Sequence, residues 1–252
     1  MEPPSSERRG VAVVTGAGTG IGRSIAATLL RDGWSVALVG RRRAPLQETA
    51  AGSSQALILP ADVTSAAAVR DLFGAVVDRW RRVDVLVNNA GWFGPSGDVD
   101  EIGVEEWRRT VEVNLTGTFL CAREAFGVMK RQDPQGGRII NNGSISAHTP
   151  RPGSAAYTAS KHAVLGLTKA LALDGRQHGI ACSQVDIGNA ATDMTSGMSQ
   201  GVRQADGSVA AEPTFDPQHV ADAVLQVANL PLDVTVLTMT IMATGMPYVG
   251  RG

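Results

Sequence analysis

Val11-Ala12-Val13-Val14-Thr15-Gly16-Ala17-Gly18-Thr19-Gly20-Ile21-Gly22 joins a β-branched run, a glycine-rich turn and the opening of a helical stretch from Arg23 to Arg31. A run with apolar side chains on both faces reads as a strand buried on both sides. Its glycines let the backbone pass close to a bound group. The helix that follows offers unpaired N–H groups and the positive end of its dipole at the same spot. Strand, turn and helix in this order suit a dinucleotide pyrophosphate, while glycines alone also make ordinary tight turns.

Outward from this stretch the chain keeps alternating. Short β-rich runs near Val11–Thr15, Ser35–Gly40, Ala56–Pro60, Val83–Asn88, Gly137–Ser144, Gly179–Asp186 and Val234–Ile241 are separated by Ala/Leu-rich segments of helical period. This predicts an α/β fold, a Rossmann-type doubly wound parallel sheet of about seven strands with helices on both faces. With 252 residues, 43% of them hydrophobic, the chain suits one domain over 10–252. Met1 to Arg9 is polar, holds Pro3 and Pro4, lacks the apolar core of a signal peptide, and reads as a disordered arm. A net charge of −1 gives no general pull toward nucleic acid or an anionic membrane. Cys121 and Cys182 have no zinc or redox spacing, so no metal site is expected, and a cytoplasmic location is. The stretch 189–213 is rich in Gly, Ser, Thr and Ala and follows the sixth strand, where ligands of open α/β sheets sit. It reads as a lid, the competing reading being a plain surface loop.

Chemistry-bearing residues collect at strand ends. Asp62-Val63 follows the third strand, Asn88-Asn89-Ala90-Gly91 closes the fourth and Ser144 closes the fifth. In Tyr157-Thr158-Ala159-Ser160-Lys161 the phenol and ammonium stand four residues apart, on one face of a helical run from Ser154 to Arg176. Hydride transfer to or from carbon needs a matching proton at oxygen, and a tyrosine with a pKa of about 10 needs a nearby cation to act as a base at neutral pH. Alone, such a pair also reads as a lysine snorkelling past a half-buried tyrosine.

The spacing of Gly16, Gly20 and Gly22 after Thr15 resembles the TGxxxGxG signature of the short-chain dehydrogenase/reductase family, in its compact single-domain branch. Asp62-Val63, Asn88 to Gly91, Asn114 in Val113-Asn114-Leu115-Thr116-Gly117, Ser144, Tyr157 and Lys161 follow in the family's order, so the resemblance runs from Val11 to Thr192. It implies a nicotinamide-dependent oxidoreductase that interconverts a secondary alcohol and a ketone or aldehyde. Tyr157 would be the acid/base, Ser144 the hydroxyl on the substrate oxygen, and Lys161 both a modulator of the tyrosine and a ribose ligand. Asn114 would interrupt its helix and hold a water that leads protons from Lys161 to solvent. The implied cofactor set is Gly16, Gly18, Thr19, Gly20, Ile21, Arg41, Arg42, Asp62, Val63, Asn89, Ala90, Gly91, Tyr157, Lys161, Ile187 and Thr192. A homotetramer or homodimer, packed through the helices ending near Arg131 and Arg176, is also implied.

The end of the second strand bears on which nicotinamide is bound, because an acid there accepts from a ribose 2′-hydroxyl and repels a 2′-phosphate. Gly40 stands there, followed by Arg41, Arg42 and Arg43, whose guanidinium forks suit a phosphate. NADP(H) is therefore favoured and NAD remains possible, the competing reading being a solvated basic cluster. Two departures from the family stand out. Ile187 replaces its usual proline, so the backbone there is expected to turn differently. Met242 to Tyr248 replaces its glycine-rich ending. Trp92, Phe93, Ser146, His148 and Met194 are candidate substrate contacts, and Arg151 could reach a substrate carboxylate. The rival readings are a non-catalytic dinucleotide-binding regulatory or scaffold protein, and an enzyme using the cleft for epimerisation or dehydration.

Overall fold

The structure is a computed structural model describing residues 9–197 and 201–249. The arm expected at the N-terminus lies outside the described residues apart from Arg9, as do positions 198–200 of the expected lid. Strands β1 (Val11–Thr15), β2 (Ser35–Gly40), β3 (Ala56–Pro60), β4 (Val85–Asn88), β5 (Gly137–Asn142) and β6 (Ile180–Gly188) belong to one sheet. A short antiparallel pair, β7 (Val202–Arg203) and β8 (Val209–Ala210), stands apart, and β9 (Thr238–Met242) completes the main sheet. The order is β3-β2-β1-β4-β5-β6-β9, with every neighbour parallel.

Strand alternation explains why the central strand β1 is apolar on both faces. Ala12 and Val14 face one core, with Ile25 and Leu29 of α1 (Gly20–Arg31), Leu46 of α2 (Arg43–Ala50) and Val220 and Val224 of α7 (Gln218–Ala228). Val11 and Val13 face the other, with Val69, Leu72 and Phe73 of α3 (Ala66–Trp80) and Cys121, Ala125 and Met129 of α5 (Gly117–Arg131). Each fully buried aliphatic or aromatic side chain contributes about 1.5–3 kcal/mol, so both faces of the sheet must be covered for the strands to persist. The order reverses between β1 and β4, and a cleft opens at the carboxyl ends there.

Differences from the expected boundaries have local causes. Strand β5 stops at Asn142, because the Ser144 N–H donates to the Asp186 carboxylate (3.0 Å). The last strand begins at Thr238 rather than Val234, since the carbonyls of Leu230, Pro231 and Val234 turn inward to accept from buried Arg138. At Ile187 the chain does not turn early. β6 stays in register through Ile187 and Gly188, opposite Ile241 and Met242. A side chain with a free N–H tolerates that ladder where proline would not.

Candidate active site

The glycine turn is fixed from both sides. Gly16 and Gly20 have positive φ (65° and 50°), and a Cβ at Gly22 would lie 2.2 Å from the Gly16 carbonyl oxygen. Arg23 on α1 returns to donate to the Gly18 carbonyl through Nε (2.9 Å) and Nη2 (2.6 Å), and Nη2 also pairs with Glu48. Asn89 braces the turn through its amide, which donates to the Thr15 carbonyl (3.0 Å), while the Thr15 hydroxyl accepts from the N–H groups of Asn89 and Ala90. These contacts pack the turn tightly against β1, the end of β4 and the start of α1, so its backbone is held at the helix N-terminus, which fits a pyrophosphate.

Two cavities meet at this turn. One is walled by Gly18, Gly40, Arg41, Arg42, Asp62 and Val63, with Arg108 and Arg109 arriving from α4 (Val104–Val111). Asp62 accepts from the N–H and hydroxyl of Thr64. This holds its carboxyl below the usual range, with help from the charges of Arg41 and Arg109. Arg109 also stacks over Trp92, 4.5 Å from its ring centroid. The other cavity contains Gly20, Ile21, Asn89, Ser144, Tyr157, Lys161, Ile187 and Thr192. Gly16, Thr19, Ala90 and Gly91 belong to both walls, so every cofactor position expected from the sequence lines one cavity or the other.

Ser144, Tyr157 and Lys161 are brought together. The Ser144 Oγ accepts from the Ser146 N–H (3.1 Å), so its own proton is available to an oxygen in the cavity. Tyr157, on α6 (Ala155–Gly175), packs against Phe93 with ring centroids 4.8 Å apart. Burial pushes its phenol above the ordinary tyrosine value, opposed by the Ser144 hydroxyl and the Arg151 charge. Lys161 lies over the ring of Tyr157. Its ammonium, 5.6 Å from the ring centroid, donates to the Asn142 carbonyl (2.8 Å), and burial lowers its pKa to about 8. The anchor on β5 satisfies one donor of the buried ammonium while it stands beside the tyrosine ring.

Asn114 stands behind this wall, on a π-helical turn over Glu112–Thr116 that interrupts the path from α4 to α5. Its amide donates to the Trp92 carbonyl (2.8 Å) and Ser160 Oγ (3.0 Å), and its oxygen accepts from the Trp92 N–H (2.8 Å). The helix interruption matches the expectation. The side chain ties the loop after β4 to Ser160, next to Lys161 in sequence.

Of the candidate substrate contacts, Trp92, Phe93, Ser146 and Met194 line the cavity and His148 does not. The His148 Nε2 lies 2.8 Å from an oxygen of Asp186. Arg151 lines the cavity, but its Nη2 is held by Glu212 (2.7 Å) and by the Asn189 oxygen (2.8 Å). It is therefore not a free cation for a carboxylate. Asp186, Asn189, Glu212 and Arg109 were not singled out by sequence reasoning. Asp186 carried a signal, a charge inside an otherwise uncharged strand. The others acquire meaning only through tertiary contact.

A family model described as short chain dehydrogenase matches residues 10–203, more than half of the chain. A 3beta-hydroxysteroid dehydrogenase of Mediterraneibacter gnavus is 35% identical over 208 residues, 80% of this chain and 74% of that protein. Among solved structures, actinorhodin polyketide ketoreductase with NADPH matches with a TM-score of 0.82 at 32% identity, covering 92% of this chain and 95% of that one. A 3-ketoacyl-(acyl-carrier-protein) reductase from Brucella melitensis complexed with NADH matches with a TM-score of 0.83 at 26% identity, covering 93% and 97%. Fold, glycine cradle and family match agree, and this chain belongs to the short-chain dehydrogenase/reductase family.

Proposed function

We propose that this nicotinamide-dependent oxidoreductase, which interconverts alcohols and carbonyl compounds, uses Tyr157 as the group that gives the proton to the substrate oxygen in reduction and takes it back in oxidation. The observation that carries this reading is the meeting of Ser144, Tyr157 and Lys161 on one wall of a cavity continuous with the glycine cradle. When bound, the nicotinamide ring supplies or accepts the hydride at the substrate carbon. Ser144 donates its hydroxyl proton to the substrate oxygen and orients it toward the phenol. Lys161, anchored on Asn142, keeps two further N–H donors for the ribose hydroxyls. Phe93, Trp92 and Met194 exclude water around the reacting carbon. Purified protein with NADPH and a panel of ketones and aldehydes should consume NADPH. Epimerisation or dehydration would instead give product without net cofactor turnover. The relatives are named as dehydrogenases and reductases, and nothing in them favours a non-catalytic role.

NADP(H) is the favoured cofactor. Support comes from Gly40 in the place of an acid, from Arg41 and Arg42 on the cavity wall, and from the NADPH of one solved relative, with the NADH of the other as a counterweight. The reading extends to one catalytic domain over 10–252, with 189–213 as a lid contributing Asn189, Thr192, Asp193 and Met194 to the cavity. A homotetramer or homodimer is supported by exposed Phe119 on α5 and Leu173 on α6, and light scattering tests it. Among the described residues no helix is long and apolar enough to cross a membrane. The free, buried Cys121 and Cys182 support a cytoplasmic location.

A further inference from the structure

Asp186 is fully buried and touches the catalytic wall from behind. One carboxylate oxygen accepts from the Ser144 N–H (3.0 Å) and from the Gln184 amide (2.7 Å). The other lies 2.8 Å from Nε2 of His148, whose side chain is partly exposed. The fit is close, since a Cβ on Gly143 would lie 2.0 Å from the first oxygen. Gln184 is fixed in turn by the hydroxyl of Thr168, on the helix that carries Tyr157 (3.1 Å). The carboxylate thus sits in the interior beside Ser144, Tyr157 and Lys161, with two N–H donors on one oxygen and the imidazole against the other. A structural role needs only an acceptor for the Ser144 N–H, and a neutral amide would serve.

We propose that Asp186, clamped by His148, is a positioning residue of the reaction: it fixes the backbone of Ser144, and its charge sets the pH range over which Tyr157 holds its proton. This rests on the reading of Tyr157 as the acid/base. The charged and titratable groups facing the phenol are Lys161 on its own helix, Arg151 with Glu212 from the loop before it and the lid, Asp193 on the lid turn, and Asp186 with His148. The electrostatic effect of Asp186 opposes ionisation of the phenol and favours the charged form of Lys161. It therefore keeps Tyr157 in the proton-donating form and Lys161 cationic toward higher pH.

The chain has two tyrosines, so in a Tyr248→Phe background the phenolate absorbance reports Tyr157 alone. Adding Asp186→Asn keeps an acceptor for Ser144 and, with the other imidazole tautomer, a partner for His148. It should lower the pH midpoint of phenolate formation by on the order of one unit. The alkaline limb of kcat/KM for carbonyl reduction should move the same way. His148→Lys, which sets a permanent cation against the intact carboxylate, should act in the same direction and serves if Asp186→Asn does not fold. A folded Asp186→Asn protein, or failing that a folded His148→Lys protein, with an unchanged phenolate midpoint would overturn the proposal. If the midpoint moves and the kcat/KM limb does not, the coupling stands and the role assigned to Tyr157 falls.

Discussion

The Lys161 ammonium donates to the Asn142 carbonyl at 2.8 Å, tying the helix that carries Tyr157 to the end of the strand that delivers Ser144. Catalytic geometry and a stability cost therefore meet in one contact. Burial lowers the Lys161 pKa from 10.5 to about 8. Between those values the unfolded chain holds a proton that the folded chain has lost, so stability gained from this group rises with pH there. Below the lower value the cost of burying the charge is constant and complete. Lys161→Met should thus stabilise the cofactor-free protein by about 1–3 kcal/mol near pH 7, the lost hydrogen bond offsetting part of the gain, while abolishing turnover. Urea midpoints at neutral and alkaline pH check this: the advantage should shrink as pH rises, and a constant advantage would contradict the charge-burial cause.

At the cradle, Gly22→Ala forces a methyl to within 2.2 Å of the Gly16 carbonyl and 2.3 Å of the Asn89 amide. The backbone must give way, costing about 1–3 kcal/mol in stability. Cofactor affinity, measured by quenching of tryptophan fluorescence, should fall by about two orders of magnitude, since a small misplacement of the cradle is felt directly by the pyrophosphate.

The double variant Arg41→Ala, Arg42→Ala should raise KM for NADPH by about tenfold or more and leave KM for NADH nearly unchanged, because only a 2′-phosphate needs the guanidinium forks. Equal effects on both cofactors would reassign these arginines to general attraction.

Arg151 and Glu212 form a largely buried pair at 2.7 Å that joins the loop before α6 to the segment between β8 and α7. Glu212→Met leaves the Arg151 guanidinium without its carboxylate and should cost about 3–5 kcal/mol, whereas Arg151→Met with Glu212→Met together should cost much less than the sum of the two single changes. Thermal denaturation of the four proteins measures the coupling, and additive losses would show that the pair does not act as a unit.

How much of this was legible in the chain depends on the range of the interactions. Alternation of β-branched and Ala/Leu-rich runs gave the main sheet, since both faces of the central strands are covered and β1 and β2 are apolar except at their ends. The glycine turn, Ser144, Tyr157 and Lys161 could be found because local spacing fixes their place. The direction of the Lys161 ammonium could not, because it depends on a carbonyl nineteen residues away in another element. The same holds for the Arg151, Asn189 and Glu212 knot, whose members come from distant loops, and for the start of β9, set by the buried guanidinium of Arg138. The pair β7 and β8 was hidden in a segment whose Gly and Ser content reads as loop.

The proposed mechanism turns on one oxygen. Tyr157→Phe removes the phenol hydroxyl and leaves the ring that packs on Phe93, so fold and cofactor binding should persist. Steady-state kcat for carbonyl reduction, measured beside cofactor affinity in the same preparation, should fall by about three orders of magnitude or more with an unchanged dissociation constant. A variant that binds cofactor normally and still turns over at near the original rate would contradict the assignment of Tyr157 as the proton donor.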